Sequence, residues 1–416
     1  MSGSGAKADV GRFRSRPLVA LVAAQVAAST GAGLSLTIAS VAVLELSGSE
    51  RIAGLAQTAI VVGASVLTLP VSRLAARAGR RWSLGLAYAL AMLGALVCAA
   101  AIAASAWEAV LLGLSLVGGG TVAGLAARFA AAETARRPRD AALAIALVLW
   151  ASTVGSIVGP NLVSLTGLGA SSGAFMLLAA LYATAALVVM LAVPSSSSRP
   201  GRARARSSTA TVLRVLRGRP TASAGLGLSA IVHVTMVALM AMAPVHLHHD
   251  MAPDAVVGLV MSGHLAAMYG LSPLFGLVIA RHGARGSAIA SMIIVCSAGA
   301  ILALSASGDE IGFGLGLALL GIGWSMGMVA GSALVVEALE PEERLATQGT
   351  TDLVINVGGG AASIVAGVVV AGQGYASLAT AFAVGVGLAT VGASFMGLRR
   401  RCRPQPRVEA EPPPPE

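Results

Sequence analysis

Polar positions along this chain are sparse and clustered, and long apolar runs separate them. Uncharged runs at 17–44, 52–72, 82–107, 109–127, 220–249, 255–280, 286–308 and 311–336 each reach the roughly 20 residues that a helix needs to cross a bilayer. Two more uncharged stretches, 141–198 and 345–398, are too long for one crossing. Gly159-Pro160 and the segment from Gly167 to Gly173 divide the first, and Gly372-Gln373-Gly374 divides the second, since Gly and Pro punctuate helices. Each stretch then holds two helices, and the pattern predicts twelve spans. Unpaired backbone amides are too costly in hydrocarbon for anything but helices at this length, whereas a membrane barrel would show short alternating strands. The expected fold class is an all-α polytopic membrane protein.

Composition agrees. The chain is 56% hydrophobic and 11% charged, against about a quarter charged in a soluble domain, which excludes a water-soluble fold. The apolar run after Arg16 is 28 residues long, about twice a signal-peptide core, and it leads straight into more spans. The first helix is therefore expected to be retained.

A net charge of +10 could point to nucleic acid, but the placement of the charges explains it differently. With loops assigned alternately to two sides, 27 of the 28 Lys and Arg fall on one side and only Arg51 opposite. The positive-inside rule then places both termini and the 195–219 loop in the cytoplasm, in a multi-pass protein of the cytoplasmic membrane. No nucleic-acid partner is expected. Cys98 and Cys296 fall inside spans and Cys402 in the carboxyl tail, so no disulfide is expected.

Residues 195–219 contain a Ser run, Pro200 and seven Arg without one acid, and they read as a flexible basic linker that cannot bury a core. The linker divides the spans six and six. The expected organisation is a tail at 1–16, a six-helix bundle at 17–194, the linker, a second bundle at 220–398, and a disordered tail at 399–416. The halves also repeat. Ser72 to Arg81 (SRLAARAGRR) aligns with Gly276 to Arg285 (GLVIARHGAR) at an offset of 204, which also sets Glu133 over Glu337. A parallel repeat of two six-helix bundles is one organisation of secondary transporters.

With this repeat in view, the sequence resembles the major facilitator superfamily, in a twelve-helix bacterial and largely actinobacterial form. That family carries G-x-x-x-D-R-x-G-R-R between spans 2 and 3. Arg77, Gly79, Arg80 and Arg81 fall on its basic and glycine positions, and Gly276, Arg281, Gly283 and Arg285 match in the second copy. The acid is replaced by Ala76 and Ala280, and the first Gly by Ser72. The resemblance implies a gate at the cytoplasmic ends, with Glu133, Glu337 or Asp352 as substitutes for the missing acid. Glu337, seven positions before Arg344, resembles the family's acid-and-arginine relay and is expected to be a gate element. Gly155, Gly159 and Pro160 in WASTVGSIVGPNL resemble the Gly-Pro motif of proton antiporters in span 5. The stretch from Pro244 to Ser272-Pro273 looks like a pattern of the same bacterial subgroup.

Ionisable groups at membrane depth are functional candidates by default. His233 lies about 13 residues into span 7 and His264 about ten into span 8, both near mid-bilayer at 1.5 Å per residue. Each is either a proton carrier or substrate partner, or a core histidine satisfied by a carbonyl. Asp352 lies inside span 11, with Asn356 one turn further along the same face. A gate salt bridge with Arg128 and a coupling role are both open for it. Gln25, Ser29 and Thr30, with Trp324 and Met328, are cavity-wall candidates by family analogy, because spans 1, 4, 7 and 10 usually line that cavity. His246, His248, His249 and Asp250 could hold a metal, but with no fixed geometry and no second cluster an exposed polar helix end is the preferred reading, and no metal or other cofactor is assigned.

The expected function is a secondary transporter of a small molecule, exporting it in exchange for protons and acting as a monomer. A symporter or facilitator importing a nutrient is the alternative. No GxxxxGK[ST] motif occurs, so a built-in ATP motor is not expected. A membrane enzyme would need an acid or His cluster with a partner at one face, and a non-transporting sensor is a third reading. Few charges inside the spans favour a mostly apolar, neutral or weakly cationic substrate.

Overall fold

The computed structural model describes residues 15–49, 52, 55–137, 140–194, 209–251, 254–305 and 308–401, without the side chains of residues 15, 164, 209–213, 248–249, 254–255, 258, 341–342, 345–346 and 393–401. Residues 1–14 and 402–416 of the predicted tails and the Ser-rich half of the linker, with Arg51, lie outside the described residues, while the last helix runs on to Arg401, past the predicted start of the carboxyl tail. What is described is helical: α1 (Ser15–Ser47), α2 (Leu55–Ala78), α3 (Arg80–Ala103), α4 (Trp107–Ala132), α5 (Ala141–Thr166), α6 (Ser172–Ala192), α7 (Thr209–Gly218), α8 (Pro220–His249), α9 (Asp254–Gly270), α10 (Ser272–His282), α11 (Ala284–Leu304), α12 (Glu310–Ala338) and α13 (Pro341–Arg401). Among the described residues, eleven helical segments are long and apolar enough to cross a membrane. One of them is double: α13 turns at Gly374, whose φ of 79° interrupts the helix and separates spans 11 and 12. Span 8 is α9 and α10 together, broken ahead of Ser272-Pro273. The architecture is therefore twelve spans in two six-helix bundles.

Two buried clusters mark the bundles. One is built from α1 to α6 and the other chiefly from α8 to α13, with the ends of α4 and α5 joining the second. Small residues let the backbones approach, as membrane helices without a hydrophobic drive between them require. The repeat is visible in the backbone. Gly79 (φ 87°) and Gly283 (φ 86°) make the turns from α2 to α3 and from α10 to α11. The Gly79 amide donates to Ala75 at 3.0 Å and the Gly283 amide to Ile279 at 2.8 Å, again 204 positions apart. A side chain at either glycine would be strained in that left-handed region.

Two expectations change. The break between spans 5 and 6 lies at Gly167 (φ 65°), and α5 runs on through Pro160, because the adjoining helix α1 holds this stretch in place. Residues 209–218 of the linker form a short helix with Leu216 buried, packed on α8 and α13, and the Ser223 hydroxyl donates to the Leu216 carbonyl at 2.7 Å. Its apolar positions recur with the helical period, which the surrounding arginines obscure.

The bundles meet where α2 packs on α13 and where α5 packs on α9 and α10, with α4 reaching α12 and α13 between them. Helix alternation puts all described loop arginines at one end, the basic face. Among the described residues, the hydrogen bonds and ion pairs that join the bundles lie in the half nearest this face.

Candidate functional site

The buried ion pair at the centre of this contact is Arg128 with Asp352. An Nη2 of Arg128 lies 2.7 Å from Oδ1 of Asp352, with side-chain exposures of 0% and 3%. The pair joins α4 of one bundle to α13 of the other. Arg128 also approaches the Met328 sulfur on α12 at 3.8 Å, and its guanidinium lies over the Phe129 ring at 4.9 Å. The other carboxylate oxygen of Asp352 accepts from Gln348 at 3.3 Å. The Gln348 carbonyl in turn accepts from Arg80, and Arg80 donates through Nε at 2.9 Å and Nη2 at 2.7 Å to Glu133. A continuous polar chain thus runs from Glu133 through Arg80, Gln348 and Asp352 to Arg128, and it crosses between the bundles twice.

Charge-assisted bonds of this kind are stronger than neutral ones, and in a buried setting each member depends on the others. Glu133, 36% exposed, is the only member near water. Next to it, Arg344 donates from Nε to the Leu339 carbonyl at 2.7 Å. Burial pushes this guanidinium below its usual pKa, against the pull of Glu133 and Glu340. Glu337 sits elsewhere: it is exposed, and the charge acting on it is Arg285. The spacing of Glu337 and Arg344 therefore does not bring the two into a hydrogen bond or ion pair among the described residues.

The other signature residues divide by burial. Arg77, Arg281 and Arg285 are exposed, as a solvated basic loop would be. Arg81 lies 5.9 Å from the Trp82 ring centroid. Ser72 and Gly276 both sit at helix crossings. Ser72 packs directly on Gly349 of α13, and a β-carbon on Gly276 would come within 2.6 Å of the Ala146 β-carbon on α5. Where the first copy has lost its glycine, the facing helix supplies one.

Moving outward from the ion pair, the register is simple. α4 and α12 run towards the basic face and α13 away from it, so Gly124, Trp324 and Asn356 each lie one turn outward of Arg128, Met328 and Asp352. The Asn356 amide donates to the Asp352 carbonyl at 3.0 Å. The Trp324 indole N–H donates to Nδ1 of His233 at 3.2 Å, which leaves the ring proton of a neutral His233 on Nε2. That edge of His233 faces Gly359, where a β-carbon would sit 3.2 Å away. Tyr269 completes the group, edge-on to Trp324 at 5.6 Å. Across the interface, Gln25 overlies Gly124 and donates to the Ser152 hydroxyl at 2.9 Å. Ser29 and Thr30 bond back to carbonyls of α1, Ser29 to Gln25 and Thr30 to Val26, and their backbone packs on Gly155 and Gly159 so closely that a β-carbon at either glycine would overlap it.

His264 does not join this group. It is fully buried, its Nδ1 lies 2.7 Å from the Leu317 carbonyl of α12, and among the described residues no bond or ring contact links it to His233. At the opposite face, the His246 ring lies 4.8 Å from Phe313 and 4.9 Å from Tyr375, and its Nε2 is 3.7 Å from Asp250. Among the described residues, no three His, Cys, Asp or Glu side chains come together as a metal site. Tyr269 and Gln348 were not among the sequence candidates. Gln348 was detectable in principle, because Gln348, Asp352 and Asn356 form a polar stripe at four-residue spacing on an apolar helix.

Comparison with known proteins bears on what this arrangement is for. The profile described as Major Facilitator Superfamily matches residues 21–251 and again 226–415. The uncharacterized MFS-type transporter YdeG of Bacillus subtilis (strain 168) is 30% identical over 381 residues, 87% of each chain. The riboflavin transporter RfnT of Brucella anthropi is 26% identical over 348 residues, 82% of this chain and 85% of that one. Among solved structures, the fucose:proton symporter FucP of E. coli superposes with a TM-score of 0.73 at 14% identity, covering 91% of this chain and 98% of that one.

Proposed function

The chain belongs to the major facilitator superfamily, and on that premise we propose that it exports a small molecule in exchange for protons by alternating access. It is a multi-pass membrane transporter and not an enzyme. In our reading the basic face is cytoplasmic, by the positive-inside rule, in the cytoplasmic membrane. The contact between the bundles at that face is then a closed inner gate, and the protein works as a monomer.

The observation that carries this reading is the buried Arg128–Asp352 pair between the bundles. Desolvating two charges costs several kcal/mol per ion, so such a pair holds only while both partners are charged and in contact. A proton arriving from outside neutralises Asp352, strands the Arg128 charge in a buried setting, and so favours separation of the bundles at the basic face. Substrate enters from the cytoplasm, Asp352 gives up its proton to that side, and the pair re-forms behind the loaded site. Asn356 and His233 mark the side of α13 and α8 along which the proton approaches. Arg80, Gln348 and Glu133 extend the latch to the membrane surface, in the place of the signature acid that this chain lacks at Ala76. Export is favoured over uptake by Gly155, Gly159 and Pro160, which fit closely against α1 and resemble the antiporter motif.

The test is proton movement in sealed proteoliposomes challenged with amphiphilic drugs and metabolites. Counterflow of protons with a transported compound is expected, and Asp352→Asn should abolish it while leaving the protein folded. Co-movement of protons with the compound would replace export by uptake.

A further inference from the structure

We propose that the layer just outward of the Arg128–Asp352 pair binds a flat, uncharged heteroaromatic ring carrying an N–H donor. The proposal rests on the transporter reading and names the substrate class of that same site. Its first support is the aromatic group on one bundle. Trp324 is pinned by its hydrogen bond to His233 at 3.2 Å and by the edge of Tyr269 at 5.6 Å, so three rings from α8, α9 and α12 hold one orientation. Preorganised rings of this kind recognise flat partners by stacking and edge contacts. Its second support lies on the facing bundle. Gln25 is 8% exposed, its amide N–H₂ is engaged by Ser152, and its carbonyl oxygen is buried with no hydrogen-bond partner. Buried acceptors are rarely left orphaned, and this one belongs to a side chain overlying Gly124, at the depth of Trp324 across the interface.

The charge pattern narrows the class. The full charges adjoining this layer, Arg128 and Asp352, neutralise each other, although Arg128 Nε keeps no hydrogen-bond partner among the described residues, so a charged ligand would find no uncompensated counter-charge. Among the described residues the neutral groups are few: the orphan acceptor at Gln25, the side-chain oxygen of Asn356, the Tyr269 hydroxyl, and the Nε2–H that the Trp324 bond assigns to His233. A sugar would bring more hydroxyls than these groups can pair, and a hydrocarbon would leave Gln25 unsatisfied. Sites that are mostly apolar with a small number of placed polar groups fit a ring with one or two heteroatoms.

The experiment is equilibrium binding of radiolabelled theophylline to the full chain in lipid nanodiscs, with lumichrome, caffeine and L-fucose as competitors. Theophylline and caffeine differ by one methyl that removes an N–H donor. We expect theophylline and lumichrome to bind, caffeine to bind several-fold more weakly, and fucose not to compete. Trp324→Leu should weaken theophylline about tenfold or more, and Gln25→Leu should erase the preference for theophylline over caffeine. Competition by fucose, loss of the ring compounds' binding altogether, or a theophylline preference untouched by Gln25→Leu would overturn the proposal. Cysteine labelling from the two faces needs no ligand, so it tests alternating access separately and tells a wrong ligand class from a wrong transport reading.

Discussion

The two copies of the repeat occupy equivalent places and are built from opposite chemistry. At the contact of α2, α4 and α13, Arg80, Arg128, Gln348 and Asp352 make a buried polar chain. Their counterparts 204 positions away are Ala284, Ser332, Ala144 and Val148, and at the second contact Gly276 of α10 packs on Ala142 and Ala146 of α5. Among the described residues, the one interbundle hydrogen bond there runs from the Ser272 hydroxyl to the Ala146 carbonyl at 3.0 Å. A polar interface of paired charges is two-state, because half-made it is worse than unmade. A small-residue interface packs backbone on backbone and has no charge to strand when it shifts. In the proposed transport cycle the first contact serves as a latch and the second as a pivot.

That contrast can be broken most forcefully at Asp352. Asp352→Asn leaves the Arg128 charge buried without its partner, at about 3–5 kcal/mol. A cysteine placed at Ser72, with Cys98, Cys296 and Cys402 replaced, should then become labelled from the basic face on the order of a hundredfold faster. Replacing both partners, Arg128→Met with Asp352→Leu, should restore slow labelling and lock the protein shut, since an apolar pair needs no proton to stay closed. Gln348→Leu removes only the bridge between Arg80 and Asp352. It should cost about 1–3 kcal/mol and raise the same labelling rate by roughly tenfold, with proton coupling retained. At the pivot, Gly276→Val overpacks α10 against α5, at about 1–3 kcal/mol. Turnover in proteoliposomes should fall several-fold there with the proton-to-substrate ratio unchanged, whereas Asp352→Asn removes the coupling itself. The smallest effect belongs to Ala76→Asp. It restores the signature acid, but Arg80 is already paired with Glu133, so a further partner adds about 0–1 kcal/mol and should slow labelling only slightly.

Much of the fold was legible because hydrocarbon leaves the chain few options. Span lengths, the break at Gly374 and the repeated turns at Gly79 and Gly283 follow from hydropathy and from where glycine is needed. Two features were obscured by louder signals. Pro160 reads as a helix end, yet α1 supports α5 through it, and the arginines around residues 209–218 hide a short amphipathic helix. The site was legible only as a set of residues. Arg128, Asp352 and His233 stand out as ionisable groups at membrane depth, and Arg80 stands out by its motif. Which of them meet depends on helix rotation and on contacts 224 or 268 positions apart in sequence, and a span pattern carries no such information. His233 and His264 look alike by depth, but one faces Trp324 and Gly359 while the other faces a backbone carbonyl. Tyr269 carries no mark in the sequence that separates it from any other aromatic in a span.

The most direct measurement is a pulsed electron spin resonance distance across the basic face, between labels at Arg77 and Glu340, which are exposed on opposite bundles. In lipid nanodiscs, the latch account predicts a short, narrow distance distribution for the otherwise unaltered protein. It predicts a longer population for Asp352→Asn and a return to the short one for Arg128→Met with Asp352→Leu. An unchanged distribution in Asp352→Asn would contradict it, because the buried pair would then not be what holds the two bundles together.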